Sequence, residues 1–506
     1  MAQPLQSIDL IAPGFKGVNT EDSPIAQDPS FADIADNAVI DKRGRIASRK
    51  GVNVLTTNKT VLGTDHIQRV HHFYDEDDNE VIFSTGNNKI ITGTTTLVDA
   101  TPGSYTITAN NWRIVNFNNK AYFFQRGYDP LVYDNATGVR TFGTVNSNTT
   151  PATLKCNEAV SSFGRLWIAD NSTEAQTIYW SDLLDGADFT GGSSGSINVS
   201  KAWPDGYDEI VGLAAHNNLL VVFGAHSILV YENATSPAMM QLADTVSGVG
   251  CVDRNSIQGI GTDVLFLSHA GLRSLGRTIQ EKSLPLSDLS VNIKTELIEV
   301  ISLETQPLCS IYSPENSFYL IAFPSQQTVY CFDLKGKLEE NNAYRVTRWT
   351  SVKHKCFARH TDGTLYIGSV DGIGKYDGYT DNTSSYRFRY FSPALTFGDP
   401  SRIKLLKKIR PTFVGLNDGT VFVKWAYDFE TAFKNYEISV GDQEPAFFGV
   451  SEYGIGKYTG GVLVTRQSVQ ASGNGTAVTI GIESEINGAV LSIQEINLLA
   501  LIGKTV

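Results

Sequence analysis

Two clusters of cations stand out on a chain whose net charge is −12. Lys42, Arg43, Arg45, Arg49 and Lys50 fall in one short segment, and Arg402, Lys404, Lys407, Lys408 and Arg410 in another. Lysine along an edge strand discourages unwanted pairing. The same charges also dock against the acidic face of a neighbour in an assembly. On an acidic molecule the second use makes both clusters candidate partner-docking residues. The N-terminal segment adds Phe15, Lys16 and Phe31, aromatic and cationic groups in a stretch with few other ways to be held.

Catalysis and metal binding find less support. The run Asp75-Glu76-Asp77-Asp78-Asn79-Glu80 is acidic enough for calcium, but the helix–loop–helix calcium loop needs Gly at its sixth position and Glu at its twelfth. Here those positions hold Glu80 and Gly86, so a solvated hairpin turn is expected. His71 and His72 are neighbours in an expected strand and point to opposite faces. His354 and His360 flank another strand without a matching ligand pair. There is no H-E-x-x-H, P-loop or G-x-S-x-G motif and no sialidase-type Asp-box. Cys156, Cys251, Cys309, Cys331 and Cys356 form no C-x-x-C pair and read as buried free thiols in a reducing compartment. No catalytic, metal or cofactor residue is assigned, and the chain is expected not to be an enzyme. Carboxylates that separate loops bring together are invisible at this level.

The elements that must carry these residues repeat. A short β phrase returns at intervals of roughly 50 residues, the range of propeller blades. Its seven copies span 70–92, 110–134, 158–182, 210–232, 257–276, 309–333 and 355–377. Each runs apolar strand, polar turn, apolar or aromatic strand, small turn, strand. One blade cannot bury both its faces, so the copies stack around an axis. The expected fold is all-β: a propeller across 36–395, of seven blades with six as the alternative. An extended N-terminal arm over 1–35 and an antiparallel, sandwich-like module over 396–506 flank it. Pro4, Pro13, Pro24 and Pro29 keep the arm out of helix and central strand, so its order should come from a partner. The segment from Asn37 to Leu55 reads as two strands around Lys42-Arg43-Gly44, placed to lend an outer strand to the first or last blade. LPLSDLSVNIKTELIEVI (284–301) breaks the pattern. Leu289, Ile293, Leu297 and Ile301 fall at helical spacing, with Ser287 or Asp288 as N-cap. Asn417-Asp418-Gly419 signals a hairpin in the C-terminal module.

The bulk numbers agree. With 506 residues, 45 Gly, 21 Tyr and 25 Phe but only 3 Met, the composition is that of a folded, turn-rich β protein. Net charge −12 excludes tight binding of nucleic acid over a global basic surface. The N-terminus has no basic segment followed by an apolar one, and no apolar run reaches the length of a membrane span. Synthesis and solubility in a cytoplasm are expected.

The ordered phrases carry more than a generic blade. VNTEDSPIAQDPSFADIADNAVIDKRGRIASRKG (18–51), SSFGRLWIAD with TIYWSDLLDGADF (161–189), LVVFGAHSILVYE (220–232) and GVGCVDRNSIQGIGTDVLFLSHAGLRSL (248–275) follow in series. The series resembles the tail nozzle, or packaged-DNA stabilisation, proteins of short-tailed bacteriophages, over most of residues 15–400. The resemblance implies a virion protein made in the host bacterium's cytoplasm and built into the tail. Six copies would form a tube below the portal and its adaptor ring. That tube retains packaged DNA, touches the duplex only transiently and opens for ejection. Itself, the adaptor ring and tail fibres or spikes are the implied partners. The large insertions of some nozzle proteins are missing here. The competing expectation is a receptor- or carbohydrate-binding tail component using Phe447, Phe448, Tyr453 and Tyr458.

Overall fold

The computed structural model describes residues 5–505 apart from 12–13, 104, 109, 143–153, 262, 282–287, 351–353, 416–418 and 441–463. Seven short antiparallel strand sets follow one another along the chain, and each expected phrase coincides with the first three strands of one set. Blade 1 is Arg69–Tyr74, Glu80–Gly86, Lys89–Thr92 and Val98–Asp99. Blades 2, 3 and 4 begin at Arg113–Phe117, Cys156–Ser162 and Ile210–His216 and also have four strands. Blade 5, from Gln258–Gly259, has three. Blade 6 starts at Cys309–Ser313 and blade 7 at Cys356–Arg359. Blade 7 takes its fourth strand, Val52–Val54, from the far N-terminal side of the chain, antiparallel to Gly372–Tyr376. That borrowed strand closes the ring, as the segment ending at Leu55 suggested. Both expected counts have a physical referent: six blades are separate sheets, and blade 6 is one end of a larger, nine-stranded sheet.

Strand alternation explains why the ring packs. Within Lys120–Phe124, Ala121 and Phe123 join Phe73 and Phe83 in the interface with blade 1, while Tyr122 and Phe124 join Leu166 and Ile168 of blade 3. In Leu219–Gly224, Leu220 and Val222 face blade 3, and Val221 and Phe223 face Phe266 of blade 5. Successive side chains on a strand point to opposite faces, so each blade is apolar on both. Three blade turns are Asn-Asn pairs with both residues left-handed: Asn87-Asn88, Asn118-Asn119 and Asn217-Asn218, with φ between 47° and 63°. That backbone fits the two-residue turn whose twist matches the strands, and asparagine tolerates it.

The middle of the ring is crossed by one turn, Arg254–Ser256. Asn255 Oδ1 accepts from Arg69 of blade 1 at 2.7 Å, and Arg254 donates to the Asn111 carbonyl beside blade 2 at 2.7 Å and to the Asn157 carbonyl of blade 3. Tyr319 Oη of blade 6 donates to the Ser256 carbonyl at 2.8 Å. Side chains and backbone therefore occupy the axis of the propeller.

The remaining strands build a sandwich from both chain ends. The nine-stranded sheet continues from blade 6 through Ile34–Asp36, Tyr386–Phe391, Val478–Ile486, Gly419–Tyr427 and Lys434–Val440. A seven-stranded sheet faces it, in which Ala38–Ile40, Ile46–Ser48, Leu491–Thr505 and Arg402–Gly415 follow one another in that order. Ile480 and Ile482 meet Ile409, Phe413, Ile493 and Leu498 in one core.

Four expectations are corrected here. The described residues of the 1–35 segment are not an extended arm. Leu5–Leu10 pairs with Leu501 to Ile496, and Leu10, Ile11, Phe15 and Val18 lie in the sandwich core at 2% exposure or less. Irregular backbone hid an apolar set that needs no periodicity to be buried. The module over 396–506 is likewise not closed in itself, because it takes in Tyr386–Phe391 and strands from residues 5–48. The turn signal near Asn417 and Asp418, which lie outside the described residues, does not mark a hairpin. The flanking strands Arg402–Gly415 and Gly419–Tyr427 belong to opposing sheets and do not pair with each other. The expected helix is present but later and shorter, Lys294–Leu303, after a 3-10 turn at Val291–Ile293. Leu289, Ile293 and Leu297 are fully buried. Asp288 accepts from Ser290 N at 2.9 Å in a turn before the helix, and Glu21 of the N-terminal segment receives Thr295 Oγ1 at 2.9 Å. Ser287 lies outside the described residues.

Candidate docking groove

The first basic cluster belongs to the hairpin formed by Ala38–Ile40 and Ile46–Ser48. Asp41 organises its turn: Oδ1 accepts from the backbone N–H of Arg43 and Arg45 at 2.8 and 3.0 Å, and Oδ2 holds Arg45 Nε at 2.6 Å. Lys42 and Arg43 are left exposed at the tip. Below the hairpin, between propeller and sandwich, is a cavity of about 410 Å³. Val39, Phe318, Tyr376, Tyr379, Val414 and Val490 supply its apolar surface. Five cations border it, Lys42, Arg43, Arg45, Lys50 and Lys335, against two acids, Asp41 and Glu315. Lys335 is fixed by donation to the Ile40 carbonyl at 2.6 Å, and Tyr376 Oη accepts from Lys50 N at 3.1 Å. A basic rim over an apolar floor suits an acidic segment that also carries an apolar side chain. Its lining contains no histidine or cysteine.

Two of the cations expected in docking are internal instead. Arg49 is 1% exposed and bidentate to Asp381 at 2.9 and 2.7 Å, with its guanidinium 4.1 Å from the centre of the Tyr386 ring. Burial works against the charge, but Asp381 outweighs it and holds the group above its ordinary value. Lys404 is fully buried and donates to the carbonyls of Thr476, at 2.7 Å, and Asp399; burial lowers its pKa. Both neutralise polar groups inside the protein, where a partner does not reach. Phe15 and Phe31 are core residues at 1% and 4% exposure. Lys16 lies over the Phe31 ring at 5.5 Å and is paired with Asp28 at 2.7 Å and with Glu340, so it is engaged within the chain.

Lys407, Lys408 and Arg410 remain at the surface, half-buried on the seven-stranded sheet. A bulge between Leu406 and Lys408 puts the two lysines side by side and outside the core. They do not border the groove, so the structure keeps the two clusters apart. Phe447, Phe448, Tyr453 and Tyr458 lie outside the described residues.

The structure also brings together a set that the sequence left separate. His71 and His72 do point to opposite faces: His71 Nε2 lies 2.7 Å from Asn116 Oδ1 of blade 2, and His72 stacks on His360 of blade 7 at 4.0 Å. Glu80 completes a trio with those two rings. All five cysteines are buried and unpaired, as expected. Among the described residues no helix is long and apolar enough to cross a membrane.

No protein-family model matches the sequence, and no curated protein matches it either. Solved structures similar to it include a streptogramin B lyase, at 10% identity over 63% of this chain and 95% of that one, TM-score 0.39. The WD40 β-propeller domain of Doa1 is similar at 9% identity over 64% and 96%, TM-score 0.37. The WD40 domain of Neurospora crassa Pan2 is similar at 6% identity over 65% and 95%, TM-score 0.39.

Proposed function

We propose that the chain is a structural subunit of a short bacteriophage tail, the nozzle that extends the DNA channel below the portal and adaptor. The observation that carries this reading is the cationic groove between propeller and sandwich on a molecule of net charge −12. Copies of such a subunit repel one another overall, so assembly needs local complementarity, and an acidic segment of a neighbour or of the adaptor fits that groove. The resemblance of the ordered phrases across 18–51 and 161–275 supplies the six-membered ring. Because Arg254–Ser256 crosses each propeller axis, DNA would pass between subunits and not through them. An acidic wall suits that passage, since phosphate contacts would brake a sliding duplex.

Electron microscopy of whole particles tests the reading. Sixfold density for this chain at the distal end of a short tail is the expected result. Density on peripheral fibres or spikes, where a receptor-binding component sits, would overturn it. In the same particles, the double reversal K42E/R43E should lower incorporation at least tenfold while the purified variant keeps its unfolding midpoint, both side chains being exposed.

A further inference from the structure

The ring of blades closes between blade 7 and blade 1, and at that seam three metal-ligating side chains meet. His72 belongs to the inner strand of blade 1, Glu80 begins its second strand, and His360 follows the inner strand of blade 7. One ligand atom from each lies within 4.8 Å of the other two. Glu80 Oε2 is 3.1 Å from His360 Nε2, and Glu80 Oε1 is 3.7 Å from His72 Nε2. Around a tetrahedral zinc ion with ligands at about 2.0–2.1 Å, ligand atoms stand about 3.3 Å apart. The observed separations bracket that spacing.

Two further observations point to a ligand. His72 is 6% exposed, and its Nε2 faces the trio with no hydrogen-bond partner. A buried ring nitrogen is rarely left so. On the other ring, Nδ1 of His360 sits 3.0 Å from Asp362 Oδ1, the placement of a carboxylate that orients a metal-bound imidazole. The backbone N–H of Asp362 donates to Nδ1 at 3.2 Å, so the ring proton sits on Nε2, 3.1 Å from Glu80 Oε2. An ion bound at Nε2 shifts that proton to Nδ1, where Asp362 Oδ1, 3.0 Å away, accepts it.

We propose that His72, Glu80 and His360 form a site for a single divalent transition-metal ion, with zinc the best fit to its two nitrogens and one carboxylate. An ion there ties blade 1 to blade 7 across 288 residues of chain and acts as a clasp at the inner strands of the seam. The two imidazoles are now stacked with planes 26° apart, so loading must turn one of them. His360, in the turn after its strand, is the one free to do so. His72 is held in strand and flanked by Tyr74, whose ring stacks at 5.7 Å.

The test uses the purified full chain, stripped with chelator and titrated with Co(II) and then with Zn(II). The expected result is one saturable Co(II) site per chain with visible d–d absorption of low-symmetry four- or five-coordination, displaced by zinc. Zinc should also raise the thermal unfolding midpoint by several degrees, reversibly with chelator. H360Q should weaken Co(II) binding at least tenfold without changing the circular dichroism spectrum, and E80Q, at the most exposed of the three ligands, should do the same. Absence of a saturable site, or equal binding by wild type and H360Q, would overturn the site. Binding without a rise in the midpoint would overturn the clasp.

Discussion

The propeller and the sandwich share strands and a continuous sheet, yet they are assembled on different principles. Six of the seven blades are completed by strands contiguous in sequence, and blade 7 alone borrows Val52–Val54. In the sandwich nearly every pairing is long-range: Leu5 opposes Leu501, Ile34 opposes Phe391, and Ile46 opposes Ile493. Local pairings cost little loop-closure entropy and long-range pairings cost more, so the blades are the part of the chain able to form early. The sandwich needs both ends of a 506-residue chain before its core exists.

The sharpest way to break that contrast is truncation. Removing residues 1–30 deletes Leu10, Ile11, Phe15 and Val18 from the sandwich core. At about 1.5–3 kcal/mol for each fully buried side chain, the loss is roughly 6–12 kcal/mol, comparable to a whole domain's stability. The truncated chain should lose cooperative unfolding of the sandwich or fail to accumulate as soluble protein, read by calorimetry and yield. A truncated chain with an unchanged unfolding profile would mean that the N-terminal segment is the detachable arm its prolines suggest.

The same contrast decides what could be read from sequence. The blade phrases were legible because alternation and turn chemistry are local: Ala121 to Phe124 announce two interfaces within four residues. The fate of residues 1–35 was not, because Leu10, Phe15 and Val18 follow no period and their partners lie at the other chain end. The basic clusters were legible as charge but not as exposure. Arg49 and Lys404 look like Lys42 and Lys407 in sequence, and only Asp381 and the Thr476 carbonyl, from distant segments, show that they are internal. His72 and His360 become neighbours only when the ring closes. The one clue was that a closed ring must put its first and last phrases side by side.

Arg49 is the hinge of the comparison, since it lies between the sandwich strand Ile46–Ser48 and the blade strand Val52–Val54. Its ion pair with Asp381 joins the two regions, and the two partners differ in exposure: Arg49 at 1% and Asp381 at 33%. Removing the acid strands a buried cation, whereas replacing the cation by a similar apolar side chain strands a carboxylate that water reaches. D381N should therefore cost about 3 kcal/mol and R49M about half as much, by denaturant unfolding. Equal costs, or a larger one for R49M, would show that stacking on Tyr386 and Trp349 outweighs the charge pair.

The smallest effect concerns the junction where blade 6 runs into the sandwich. Asp36 there lies between Arg348 and Arg389, at 3.3 and 3.4 Å, but Asp33, three residues earlier, has no cation within ion-pair distance among the described residues. Burial alone pushes the Asp33 carboxyl up to about 6. A raised carboxyl pKa means that the folded state holds the proton more tightly than the unfolded chain. Below about pH 3.8 both states are protonated and the site costs nothing. As pH rises from there to about 6 the unfolded chain ionises first, and stability falls, reaching a constant deficit above that window. D33N removes the ionisation and keeps the shape. Because the side chain retains some contact with water, the gain is about 1 kcal/mol, less than the full shift would give. It should be present at pH 7.5, shrink as pH falls, and vanish near pH 3.8 if the chain is still folded there. Unfolding midpoints of wild type and D33N across that range read the difference. A gain that did not change with pH would assign the effect to hydrogen bonding by the new amide, leaving burial of Asp33 without cost to the junction.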